Sequence, residues 1–217
     1  MPSGRPTRRV QAVVFDFGGV LITPITTGIT AIAERHGAEP RAMVEVLIGP
    51  EKTFDHLWHR AERGQLAVAE IQAALGEYAT IAGIVLAGDE IDVLLVPSYS
   101  FNDAVVERVR TLRAEGIRTG LLTNTFAEFR PTLERDLDLS LFDAVVESYA
   151  VGARKPEPAI YEAMATALGV DHDEIVFLDD FAQNLAPARA LGWRTIHVTD
   201  IDQALAELDQ IIAGSPF

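Results

Sequence analysis

Residues 13–21 read Val-Val-Phe-Asp-Phe-Gly-Gly-Val-Leu. An apolar run ends in one acid, Asp16, and two glycines follow at once. Together with residues 10–12, the run fits a short strand buried on both faces, as in a parallel sheet. A carboxylate at the tip of such a strand is costly unless something cationic meets it. Gly18 and Gly19 let the backbone approach a ligand with no Cβ in the way. The stretch therefore predicts a buried strand whose carboxyl end is a binding edge. The partners of Asp16 must come from the rest of the chain.

The chain from about 98 onward alternates. Strands are predicted at 117–122, 143–147, 175–178 and 194–198. Helices are predicted at 102–115, near 127–137, and at 158–168, 182–191 and 201–213. Asn102 is placed as an N-cap, and Gly116 and Gly169 as stops. Strands alternating with helices of this length indicate parallel βαβ units. Residues 26–95 read differently. Ile29, Ile32 and Ala33 share a helical face, as do Val44, Leu47 and Ile48. Leu57, Trp58 and Ala61 repeat the spacing, and so do Ile71, Leu75 and Tyr78. Gly37, Gly49-Pro50, Gly64 and Gly83 punctuate four or five helices with no convincing strand. The expected architecture is an α/β, Rossmann-like parallel sheet core over 1–23 and 97–217, with an all-helical insert at 24–96. No internal repeat or low-complexity segment interrupts it.

Composition narrows the function classes. A chain of 217 residues suffices for one well-cored domain, or a core plus a smaller insert. Hydrophobic residues make up 48%, which argues for a globular protein. Lysine plus arginine number 18 and aspartate plus glutamate 32, a net charge of −14. Such a surface repels nucleic acid and anionic membranes. There is no cysteine, so disulfide and thiolate chemistry are excluded. Three arginines precede residue 10, but residues 10–22 are too short for a secretory h-region. No run reaches a membrane span. The expectation is a cytoplasmic, bacterial protein, monomer or homodimer, with a tail ending at Phe217.

In open parallel sheets, ligands bind beyond the carboxyl ends of the strands. Asp16 follows the first predicted strand, and Thr123-Asn124 the second. Arg154-Lys155-Pro156 lies beyond the third, and Asp179-Asp180 follows the fourth. Each has an ordinary reading as a turn, a cap or a solvated loop residue. All four at carboxyl ends form a set with defined chemistry. Asp16 and Asp180 can share Mg²⁺, which suits two carboxylates, a backbone carbonyl and waters. Lys155 and the Thr123 hydroxyl can hold a phosphoryl group. Backbone N–H groups of Phe17 and Gly18 can form an anion nest. An aspartate so placed can attack phosphorus in line and form an aspartyl-phosphate.

On these residues the sequence resembles the haloacid dehalogenase superfamily, whose members are mostly Mg²⁺-dependent phosphatases. Residues 13–21 look like its first motif, and Leu-Leu-Thr-Asn-Thr at 121–125 like its second. Gly-Ala-Arg-Lys-Pro-Glu-Pro-Ala-Ile-Tyr at 152–161 looks like its third, and Phe-Leu-Asp-Asp-Phe-Ala-Gln-Asn at 177–184 like its fourth. The resemblance implies Asp16 as nucleophile, Lys155 as its bridge to phosphate, and Phe17, Gly18, Thr123, Asn124 and Lys155 around the phosphoryl group. It implies Mg²⁺ held by Asp16, the Gly18 carbonyl, Asp179 and Asp180, with Asn184 beside the acid pair. The insert at 24–96 resembles the family's small helical cap. The implied activity is phosphoric monoester hydrolysis of a small phosphorylated substrate.

The sequence departs from the pattern at one point. The family's phosphatases usually carry a second aspartate two residues after the nucleophile, as acid and base; here that position is Gly18. The departure keeps alternatives open. One is a non-catalytic or nearly inactive binding protein of the same fold. Another is a metal-independent dehalogenase, although Asp179-Asp180 differs from the Ser-Ser-Asn such enzymes resemble. A response-regulator receiver has its acid pair before, not after, its Lys-Pro. His56 and His59, three apart, read as a helix face, or as a source of the missing acid from the insert. His36, His172 and His197 show no evident partner, and Trp58 reads as core of the insert.

Overall fold

The computed structural model describes residues 9–24, 26–49, 56–81, 84–87, 90 and 99–214. The expected boundary at 96/97, the stops at Pro50 and Gly83, and the tail at Phe217 lie outside these residues, as do two of the three N-terminal arginines.

Five strands form one parallel sheet in the order β3-β2-β1-β4-β5. They are β1 (Ala12–Phe15), β2 (Arg118–Thr123), β3 (Ala144–Glu147), β4 (Ile175–Asp179) and β5 (Arg194–His197). The first strand starts two residues later than the apolar run, and the last ends one residue earlier than predicted. β1 lies at the centre, with β2 and β4 parallel to it on either side. Its four residues are all buried, which is why the sequence shows a run and not an alternation.

The two faces of the sheet are covered by different helices, and the side chains of β1 divide between them. Val13 and Phe15 join Leu121, Val176 and Leu178 under the helices Asp103–Ala114 and Ile201–Ile212. Ala12 and Val14 join Leu122 and Phe177 under the helices Pro158–Leu168 and Ala182–Leu191. Gly169 ends the helix before it with φ +64°. The helix expected near 127–137 is a 3₁₀ turn, Ala127–Phe129, followed by an α-helix, Arg130–Asp136. Pro131 sits in its first turn, where a missing N–H leaves no bond unmade.

Asn102 precedes its helix as expected but does not cap it. Its Nδ2 donates instead to the carbonyl of Val20 at 2.6 Å, and its backbone N–H to that of Leu21 at 2.9 Å. The helix is thereby tied to the end of the glycine loop.

Four described helices occupy the segment after β1: Thr26–Arg35, Pro40–Leu47, Leu57–Glu62 and Val68–Ile81. They have an apolar centre of their own, with Ile29, Ile32, Met43, Leu47 and Leu75 fully buried. Trp58 belongs to it, as predicted, and meets Phe126 of the loop after β2 edge-on at 4.8 Å. Among the described residues no helix is long and apolar enough to cross a membrane.

Tyr161 anchors one face of the sheet. It is fully buried, edge-on to Phe177 and Trp193, and its hydroxyl donates to the carbonyl of Asn184 at 2.6 Å. Tyr161→Phe keeps the ring and removes one buried hydrogen bond. The expected loss is about 1 kcal/mol, read by urea unfolding.

Candidate active site

The carboxyl edge of the sheet brings four chain segments together. In register, Phe15 of β1 stands beside Leu121 of β2 and Leu178 of β4. Asp16 and Asp179 come next, and Thr123 ends β2 two residues beyond Leu121, so all three lie at the same rim. The Asp16 N–H bonds the carbonyl of Leu178 at 2.9 Å, which fixes where its side chain starts.

Lys155 arrives from the loop after β3 and is 1% exposed. Its Nζ lies 2.6 Å from Asp16 Oδ1 and 2.8 Å from Asp179 Oδ2. The ammonium also stands 5.6 Å above the ring of Phe177. Burial works against its charge, but Asp16 and Asp179 outweigh that and hold its pKa above the usual lysine range. The Lys155–Pro156 peptide is cis. Asn124 holds the lysine by its backbone: Lys155 N–H donates to Asn124 Oδ1 at 2.8 Å, and Asn124 Nδ2 donates to Lys155 O at 3.0 Å. The Asn124 carboxamide, expected beside the phosphoryl group, thus positions Lys155 with its Oδ1 and one N–H of its Nδ2.

Asp179 is fully buried and its two oxygens are shared among protein donors. Oδ1 accepts from Phe181 N–H at 2.8 Å and Asn184 Nδ2 at 2.9 Å; Oδ2 accepts from Lys155. Asn184 thus lies beside the acid pair, as the resemblance implied. Asp180 differs, because its Oδ1 is buried with no hydrogen-bond partner. One oxygen each from Asp16, Asp179 and Asp180 can be found within 4.8 Å of one another, so the cluster could hold a metal ion. Burial holds Asp16 well above the usual carboxylate range, with Asp179 and Asp180 adding to the effect and Lys155 opposing it. Burial and then the charge of Asp179 push Asp180 up to about 7.

Phe17 N–H donates to Asp16 Oδ1 at 2.6 Å, so in this structure it serves the aspartate and not an anion nest. Thr123 is buried, and the one contact of its hydroxyl, to Asn124 O, is long at 3.4 Å. Gly19 has φ +71°, and a Cβ there would fall 2.1 Å from Asp180 Oδ2. Gly18 is different: nothing lies within 4 Å of an added Cβ.

A cavity of about 210 Å³ opens above these residues, walled on the other side by the helical segment. His59 borders it. His56 is the N-cap of the short helix Leu57–Glu62, where its Nδ1 accepts from Trp58 N–H at 3.2 Å. Both histidines are buried, more fully than the solvated or partly buried helix face expected for them. The other three also have partners. His36 meets Glu90, His172 accepts from Trp193 Nε1 at 2.7 Å, and His197 Nε2 lies 3.0 Å from Asp180 O.

Two ion pairs tie the helical segment to the lysine loop, and sequence reading missed both. Glu62 Oε2 lies 2.5 Å from Arg154 Nε, and Arg63 pairs with Glu157. Neighbours in one segment thus meet near-neighbours in the other with charges crossed. The partners are more than 90 residues apart, so no local spacing could signal them. The charged dipeptide Glu62-Arg63 beside a glycine stop was the available hint.

Parallel strands thus deliver a buried carboxylate, a lysine and an acid pair to one rim of a Rossmann-like core. The model of the haloacid dehalogenase-like hydrolase family matches residues 10–192, and the chain belongs to that family. Its sequence is 30% identical over 217 residues to bifunctional epoxide hydrolase 2 of Sus scrofa, covering 93% of this chain and 39% of that protein. The chain thus spans about two fifths of that relative. It is 26% identical over 207 residues to sesquiterpene phosphatase astK of Aspergillus oryzae, covering 93% of this chain and 96% of that protein. In fold it resembles the crystal structure of HAD family enzyme bt-2542 from Bacteroides thetaiotaomicron, in complex with magnesium and inorganic phosphate. That match has a TM-score of 0.62 and 22% identity over 87% of this chain and 93% of the other.

The two glycines are separable. Gly19→Ala should destabilise the protein by roughly 1–2 kcal/mol through left-handed strain alone, with the clash against Asp180 added. Gly18→Ala should stay within about 0.5 kcal/mol of wild type. Urea unfolding of both variants checks the difference.

Proposed function

We propose that this chain is a Mg²⁺-dependent phosphoric monoester hydrolase that works through an aspartyl-phosphate on Asp16. The charge balance of the buried rim carries the reading. Three carboxylates converge on one ammonium, and Asp180 Oδ1 is buried with no partner. Such a set suits a hard, oxygen-seeking divalent cation. Asp16, Asp180 and the Gly18 carbonyl would hold Mg²⁺, with Asp179 supporting from behind because its oxygens already serve Lys155, Phe181 and Asn184. Bound there, the ion would offset the charge a phosphoryl group brings and help orient it. A relative named as a phosphatase, and a fold neighbour described with magnesium and phosphate, support the same reading.

The chain's own residues have distinct parts. Lys155 steadies Asp16 and offers its ammonium to a phosphoryl oxygen. Thr123 offers its hydroxyl to another. Asp16 Oδ1 is occupied by Lys155 and Phe17 N–H, which leaves Oδ2 for attack. Oδ2 bonds to phosphorus in line, and the bond from phosphorus to the alcohol oxygen breaks. That oxygen takes a proton from water. The hydroxide left behind takes a proton from a second water as that water attacks phosphorus, the Asp16–phosphorus bond breaks, and inorganic phosphate leaves.

A second reading rests on Gly18, which has no side chain to give or take the proton. A protein that binds the cation and anion but turns over slowly fits that observation. Metal-independent dehalogenation fits less well, since two buried acids and a half-buried third beside a single lysine repel one another without a further cation.

Hydrolysis of p-nitrophenyl phosphate should need Mg²⁺, stop on chelation and return when the ion is restored. Asp16→Asn should abolish it; activity surviving in that variant would refute the mechanism. Gly18→Asp restores an acid where there is room for one, and should raise kcat about tenfold or more. No gain in a variant that still binds Mg²⁺ would place the proton source elsewhere in the cavity.

A further inference from the structure

Above the charged rim the cavity changes character. Its wall is built of Phe17, Ile48, Trp58, Phe126, Phe129 and Phe181. Phe17 is edge-on to Phe129 at 6.0 Å, and Trp58 edge-on to Phe126 at 4.8 Å. These are packed surfaces, not single side chains that swing aside.

Several polar side chains in the same wall are already engaged by the protein, while Gln183 is not. Glu62 receives Arg154 on one oxygen and the Trp58 indole N–H on the other, at 2.5 and 3.0 Å. Asn124 is committed to the Lys155 backbone, and Asn184 to Asp179. The backbone N–H of Thr125 is bound by Ser148 Oγ at 2.9 Å. A polyol placed here would bury hydroxyls against groups whose bonds are already made, and that is penalised. An alkyl or prenyl body would instead displace water from aromatic surface.

We infer that the substrate is the phosphate monoester of an apolar alcohol, its phosphate at Lys155 and its hydrocarbon body against the aromatic wall. This rests on the phosphatase reading and specifies the other half of the ligand. The anionic head is held by charge at the sheet rim, and the body is selected by an aromatic surface with few open polar groups. A sugar or glycerol phosphate shares the head and lacks the body.

Two measurements test it. In the first, kcat/KM with Mg²⁺ is compared for n-octyl phosphate, n-butyl phosphate, glycerol 1-phosphate and glucose 6-phosphate. Octyl phosphate should exceed both polar esters by about tenfold or more, with the butyl ester between. Ile48→Ser puts a hydroxyl into a half-buried part of the wall. It should reduce kcat/KM for octyl phosphate several-fold more than for glycerol 1-phosphate. The second measurement needs no turnover. Calorimetry with Mg²⁺ present compares octylphosphonate with 2,3-dihydroxypropylphosphonate. Tighter binding of octylphosphonate, by about tenfold or more, supports the proposal. Equal or weaker binding overturns it, as does a preference for the polar esters in turnover. If no ester is hydrolysed, p-nitrophenyl phosphate included, the phosphatase reading fails, and the phosphonate comparison still decides which ligand body the cavity selects.

Discussion

The site is organised by the ammonium of Lys155, held between Asp16 and Asp179 in a place almost closed to water. A buried lysine without such partners would lose its proton, and buried aspartates without a cation would gain one. Here Lys155 favours the charged form of Asp16, and Asp16 and Asp179 favour that of Lys155. The arrangement needs three segments to meet within hydrogen-bonding distance: the end of β1, the end of β4 and the loop after β3. Parallel pairing of β2, β1 and β4 sets the first two, and Asn124 at the end of β2 sets the third by gripping the Lys155 backbone. Removing one member of a buried charged group leaves the others uncompensated, so the rim is expected to stand or fall as a unit.

That unit remains unbalanced by itself. A single lysine faces three acids, and Asp180 carries the strain as a carboxyl pushed up to about 7 with one oxygen unpartnered. Asp180 can come so close to the glycine loop because Gly19 has no Cβ, in a backbone conformation that glycine adopts at no cost. The two glycines that seem equivalent in the sequence therefore differ. Gly19 makes room for an acid, and Gly18 stands where an acid is absent.

Much of the core was legible from the chain alone because local and long-range signals agree there. Apolar runs four to six residues long mark strands buried on both faces, and glycines at 116 and 169 stop helices in left-handed turns. Asp16, Thr123, Lys155 and Asp179 each follow or end a strand, so the rule that ligands bind beyond the carboxyl ends of parallel strands was enough to collect them. Less could be read where one residue had two competing partners. Asn102 has the sequence of an N-cap but binds the Val20 carbonyl. Asn124 has the look of a phosphate donor but secures a lysine backbone. Histidines 36, 172 and 197 showed no partner because their partners are distant in sequence or are backbone.

The sequence by itself determined the alternation of strands and helices, the helical segment after the first strand, and the chemical types at the rim. These depend on periodicity, glycine placement and side-chain identity, all of which are local. The tertiary structure decided which oxygen is paired and which is not, that Gly18 is open while Gly19 is crowded, and that Glu62-Arg63 meets Arg154 and Glu157. It also decided that the wall facing the rim is aromatic and that several of its polar groups are already paired. Those facts depend on distances between segments tens of residues apart, set by packing the helices onto the sheet edge, and no spacing along the chain encodes them.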